Sequence, residues 1–447
     1  MKLSALLLLV SLFAPLVSSA QSTGSDRVYT MEECLQIALN NNLDIRSAQE
    51  QLRSAGAEVT SAFGEFLPSV NVSAGYSRQL FTGDSVTVSF GELSSRIPTG
   101  DPDNYSVNLR ANLTLFDGFN RESNYNRSKA SLAATDLTAA YTRSNTLLTV
   151  RENYIAVLRA QQVVEIRRED VELGQKELER IKTQLEVGVV APATMYAQEA
   201  EIGSKELAVV QAENELNIAK AVLLASMGRD PAGSADFIDA SLPSEIPQTE
   251  IDEFRRRNGT YPTALKRAIE QREDLMAARK SREAAESSVT SAQSGYYPQV
   301  SANAGWSWSN TDLDNFSDGN TYIGLSFNIP VFNGFSVNRN IQSAEVGVQQ
   351  RLIEIERIEQ QIATELQRAY LQLASAEKEL AITDRSLKSA EANFFSADER
   401  FKVGAGTILD YQTANNRLIA TRIDRITAVY NYLLARYAVE FAVGDLD

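Results

Sequence analysis

The chain has 447 residues, with 43 Lys and Arg against 58 Asp and Glu, one Cys and no His, for a formal charge of −15. The acidic balance argues against a nucleic-acid partner, which would require a basic face. A lone Cys34 excludes a disulfide framework or a Cys-rich metal site, and the absence of His excludes His-dependent triads and His-ligated metals. The length allows about three ordinary domains or one large repeated one.

Residues 1–20 have the make-up of a signal peptide. Lys2 is the positive start, Leu6–Val10 and Leu12–Val17 are apolar, and Ser18-Ser19-Ala20 supplies small residues at a cleavage site. No run of eighteen apolar residues follows, so no transmembrane helix is expected beyond it. Thr30 and Glu33 have capping-box spacing ahead of a short helix. An Ala- and Ser-rich helix is expected over 43–66, then two strands about a variable loop at 81–103. From Gly118 to Gly188 there is no Pro, and apolar residues recur at helical spacing through Leu147, Val150, Tyr154, Val157 and Leu158. That predicts one helix of about 105 Å at 1.5 Å per residue, a coiled-coil or tunnel length. Val187-Gly188-Val189 turns the chain, Pro192 suits the first helical position, and a returning helix is expected over 193–228.

The prolines of 229–259 mark an inter-repeat linker, and the order then begins again. Helix 273–296 leads to two more strands, a second Gly-to-Gly helix from Gly334 to Gly404, the turn Val403-Gly404-Ala405 and a helix over 408–443 capped by Thr407 and Asp410. Ala62, Pro68, Val70, Ala74 and Gly75 match Ala292, Pro298, Val300, Ala304 and Gly305 at an offset of 230 residues. Phe116-Asp117-Gly118-Phe119 matches Phe332-Asn333-Gly334-Phe335 at 216, as do Tyr154 with Tyr370 and Gly228 with Gly444. The difference of 14 falls in the loops 81–103 and 311–319, where an insertion is tolerated. The chain therefore divides into residues 21–228, a linker at 229–259 and a second repeat at 260–447.

Four strands alternate with period two. Val70 to Tyr76, Tyr105 to Leu115, Val300 to Trp308 and Ile323 to Val331 place apolar residues on one face and Ser, Asn, Gly, Thr and a single Arg on the other. A sheet half-buried on a soluble core alternates in the same way. The wet character of the polar face favours a membrane barrel, with Tyr76, Tyr105, Trp306, Trp308 and Tyr322 as its aromatic girdle. Four strands cannot close, because the smallest membrane barrels need about eight. Three chains would supply twelve.

This duplicated order resembles the TolC-like outer membrane factors over about residues 28–444. The fold class expected is mainly α: a long helical coiled-coil tunnel, with four strands per protomer contributing to a shared twelve-stranded trimeric barrel. The resemblance implies a homotrimer in outer membrane lipid with a periplasmic tunnel below it. Its role would be a passive exit duct of a tripartite efflux pump or type I secretion system, without cofactor, metal or catalytic residue. Its partners would be a periplasmic adaptor and an inner membrane transporter, proton-driven or ATP-driven. Val187, Gly188, Val189, Val403, Gly404 and Ala405 would be the docking tips. Asp410 would face the lumen in a ring of three carboxylates, each raising its neighbours' pKa, unless it serves as a helix cap. The best-known members have Tyr where Phe401 stands, Arg where Gly406 stands, a second Asp where Thr413 stands and an acidic residue at Thr194. Apolar packing around Phe401 is the closure expected instead. The competing reading is a secreted trimeric coiled-coil stalk or adhesin, against which the two glycine turns and strand pairs speak. An enzyme comes third.

Overall fold

A computed structural model describes residues 28–78, 86–90, 93–97, 103–238, 246–313 and 316–445. The expected signal peptide, residues 1–20, lies outside the described residues. The chain starts with β1 (Val28–Tyr29), α1 (Met31–Asn41) and α2 (Leu43–Gly64). Next come β2 (Ser69–Arg78), a hairpin of β3 (Val86–Phe90) and β4 (Leu93–Ile97), and β5 (Asp103–Phe116). Then follow α3 (Asn120–Glu186), α4 (Pro192–Ser226), β6 (Asp236–Phe237) and α5 (Gln248–Asn258). The order recurs as α6 (Tyr261–Gln271), α7 (Glu273–Gln293) with a 3-10 turn at Ser294–Tyr296, β7 (Gln299–Asn310), β8 (Asn320–Asn328), α8 (Ser336–Lys402) and α9 (Ile408–Val443).

The long helices α3 and α8 each have 67 residues, or about 100 Å. Each begins at two successive left-handed residues, Gly118 (φ 71°) with Phe119 (φ 69°) and Gly334 (φ 60°) with Phe335 (φ 63°). Left-handed phenylalanine is costly, and both rings pack edge-on against a partner, Phe116 or Phe332. Before α3 the strand is bulged between Thr114 and Phe116. The buried Arg121 donates to the freed carbonyls of Thr114 (2.7 Å) and Leu115 (3.3 Å) and pairs with Asp117 at 3.2 Å. A bulge leaves ladder groups unpaired, and Arg121 satisfies them.

The largest core lies midway along the long helices, where α1, α5 and α6 wrap around α3, α4, α8 and α9. The repeat is written into its hydrogen bonds. Tyr154 donates its hydroxyl to the Tyr29 carbonyl and Tyr370 donates to Asn258, both 3.1 Å. These carbonyls lie just ahead of α1 and α6. Gly228 (φ 70°) closes on the Asn41 backbone, and its counterpart Gly444 (φ 84°) closes on Arg272. A Cβ at Gly228 would stand 2.3 Å from the Asn41 oxygen, so both its conformation and its surroundings require glycine. Residues 229–259 do more than link. β6 pairs with β1 in parallel, and Ile251 and Phe254 of α5 enter the core. Arg272 is buried between Asp274 (2.7 Å) and Glu365 (2.6 Å), with its guanidinium over Tyr141 and Phe441.

The sheet order is β2-β5-β7-β8, antiparallel throughout. Tyr76, Tyr105, Trp306 and Trp308 share the apolar face, as their spacing predicted. Tyr322 does not: it pairs with Gly305, on the Ser and Asn face, so its place in the girdle is corrected. Side chains alternate along a strand, and Ile323, not Tyr322, has the apolar parity. The fourth strand also ends earlier than expected, at Asn328, before Pro330; proline cannot donate to the ladder.

Candidate functional site

Three surfaces stand out. The first is the pair of hairpin tips. At one, Gly188 donates to Leu185 (3.0 Å) and Val189 to Gln184 (2.8 Å); at the other, Gly404 donates to Phe401 (3.1 Å) and Ala405 to Arg400 (2.8 Å). Both are Schellman closures around a left-handed glycine, Gly188 at φ 78° and Gly404 at φ 72°. Val187, Val189 and Val403 are 72%, 70% and 76% exposed, a large apolar area left uncovered at the far end of the molecule. Ala405 is exposed beside them.

Just above the tips, Thr407 and Asp410 cap α9 reciprocally. The Asp410 amide donates to the Thr407 hydroxyl (3.1 Å), and the Thr407 amide and hydroxyl both donate to the carboxylate (3.3 and 2.7 Å). The Thr407 hydroxyl holds the Asp410 pKa below its ordinary value. This is opposite to the direction a carboxylate ring would impose, so within one chain the cap decides it. Thr194 is the third residue of α4, as Asp410 is of α9, and its amide bonds the Ala191 carbonyl at 3.0 Å. Thr413 is exposed.

Phe401 is buried. Its ring stacks on Tyr411 at 5.6 Å. The sequence reading missed what lies across them: Arg180 of α3 places its guanidinium 4.8 Å from the Phe401 ring centre and 5.8 Å from that of Tyr411. Arg180 also binds Glu177 and approaches Asp398 at 3.7 Å. Burial pushes up the pKa of both Glu177 and Tyr411. Higher still, the buried Asp170 of α3 receives Lys205 of α4 (2.5 Å) and Asn415 of α9 (2.7 Å). Gln198 of α4 donates to the Gly174 carbonyl (3.0 Å) and accepts from Gln412 (2.9 Å). The two hairpins are thus joined by a ladder of buried polar contacts. Arg180 lies 221 positions before Phe401, in another helix, so no local spacing signals the contact.

The second surface is the sheet. Val70, Val72, Leu325, Phe327 and Ile323 are 61–88% exposed on its apolar face, and the outer edges of β2 and β8 pair with no further strand among the described residues. Trp308 is the exception: it is 1% exposed and stacks on Phe316 at 4.4 Å. Tyr76 and Tyr105 pair at 5.0 Å.

The third is an aromatic cluster, whose Phe119 belongs to the repeated match of residues 116–119 with 332–335. Phe63, Phe66 and Tyr125 pack together where the sheet meets the helices, and Phe119 meets Tyr297. It lies at the opposite end of the strands from Tyr76 and Tyr105. Among the described residues no helix is long and apolar enough to cross a membrane, and no group of three or more Cys, Asp or Glu could hold a metal ion.

A doubled helical hairpin carrying an amphipathic four-stranded sheet is the architecture these elements build. The chain belongs to the outer membrane efflux protein family, whose model matches residues 34–229 and 264–445. The interruption coincides with the segment bearing β6 and α5. It is 24% identical over 440 residues to the outer membrane protein TolC of Vibrio cholerae, covering 96% of this chain and 94% of that one. It is 23% identical over 436 residues to the outer membrane efflux protein BepC of Brucella suis, covering 97% and 89%. The crystal structure of the CmeC outer membrane channel of Campylobacter jejuni superposes with a TM-score of 0.75 at 16% identity, covering 99% of this chain and 94% of that one.

Proposed function

We propose that three copies of this chain form an outer membrane exit duct, working with a periplasmic adaptor and an inner membrane transporter in efflux or type I secretion. The observation that carries the reading is the four-stranded sheet, apolar and exposed on one face, polar on the other and open at both edges. An open edge in lipid leaves backbone groups unpaired, at several kcal/mol each. Strand direction alternates across the four, so β8 of one copy meets β2 of the next antiparallel. Three copies then close twelve strands, with the apolar face to lipid and the polar face to a lumen.

The helices of about 100 Å carry the duct through the periplasm. The exposed valines beside Gly188 and Gly404 are the adaptor's landing surface. Near them Asp410, Thr194, Thr413 and Phe401 narrow the entrance, and Arg180 lying on Phe401 and Tyr411 holds the two hairpins together. The energy comes from the transporter. A secreted stalk would gain nothing from a sheet with an uncovered apolar face. Incorporation of the purified protein into planar bilayers tests the reading: it should yield discrete conductance steps, and a soluble protein that never conducts would overturn it.

A further inference from the structure

Within the described part of the four-stranded sheet only three residues are charged. Arg78 and Asp103 pair at 3.8 Å at its outer end. The third, Arg110, lies midway along β5, is exposed, and has no carboxylate within ion-pairing distance among the described residues. The register puts Asn71, Arg110, Gly305 and Tyr322 in one row across all four strands. Gly305 leaves the space between Arg110 and Tyr322 empty of its own side chain. The Tyr322 ring leans over it: a Cβ there would stand 2.7 Å from the phenol Oη. The rows on either side offer only neutral groups at this point, Asn108 with Ser307 and Asn112 with Asn303.

We propose that Arg110 and Tyr322 form a binding step for anionic aromatic solutes in the lumen of the barrel. The proposal rests on the duct reading, which makes this polar face a water-filled wall. An ionisable residue at membrane depth is expensive, and one without a structural partner marks a permeation path. Rings of arginine favour anions in pores. Three-fold symmetry sets three guanidiniums at one height, each beside a phenol ring. The guanidinium pairs with a carboxylate or sulfonate and the phenol ring stacks on an arene. In the register the bare Gly305 stands between them, with the Tyr322 ring over it. The step lies near mid-membrane, far from Asp410, so its charge is not cancelled locally.

Naphthalene-1,5-disulfonate added to the barrel side of channels in planar bilayers provides the test. Full-length wild-type channels should be blocked in a voltage-dependent manner. Arg110→Ala should weaken the block at least tenfold, Arg110→Lys less, and Tyr322→Leu severalfold, with the heat-stable oligomer band on gels unchanged. Equal block of wild-type and Arg110→Ala channels, or no block of the wild type, would overturn the proposal while leaving the duct intact. A wild type without conductance removes the duct itself, and this step with it.

Discussion

Single residues do matched work in the two halves. Tyr154 and Tyr370 were legible as a repeated letter, and the structure gives that letter a purpose: each hydroxyl ties down the chain entering its half of the core. Neutral buried hydrogen bonds contribute about 1 kcal/mol. Tyr154→Phe and Tyr370→Phe should therefore each lower stability by about that amount in denaturant titration, and the pair should add, since the sites are separate. A loss in one only would show the two halves are not equivalent. Tyr322 marks the limit of reading by type. An aromatic near a strand end looks like a membrane anchor, yet its parity places it on the polar face. The alternation of β8 carries that parity in the sequence itself, with Ile323 and Leu325 apolar on one face and Gly324 and Ser326 on the other.

The lengths and order of the helices were readable from glycine, proline and helical period. The junctions were less so. Aligned at the 216-residue offset, Arg121 falls opposite Val337, so the bulge it satisfies belongs to the first half alone. Replacing it leaves Asp117 buried without its partner and two carbonyls without donors. Arg121→Ala should cost about 3 kcal/mol and lower the yield of heat-stable oligomer; an unchanged yield would show that the bulge needs no such support. The cap of α9 has a pH signature. The folded pKa of Asp410 is depressed, chiefly by the Thr407 hydroxyl, so its contribution is complete above the ordinary carboxylate range. It is lost as pH falls through the lowered value. Thr407→Ala should flatten the acid limb of hydrogen-exchange protection in the first turn of α9, and an identical profile would show the cap is idle.

At the scale of the whole molecule, the proposed trimer supplies what one chain lacks. The sheet has two open edges and an uncovered face, and the tips expose valines. The period-two strands and the count of four in the sheet were legible in the sequence. The clamp was not, because Arg180 reaches Phe401 across 221 positions of chain. Arg180→Ala should loosen the hairpins and raise open-channel conductance severalfold in bilayers, while equal conductance would remove it from the closure. The account depends above all on the number of copies in the barrel. Native mass spectrometry of the detergent-extracted protein measures it directly. Three chains per complex is the predicted result; a monomer, or any other number, would contradict the shared twelve-stranded barrel.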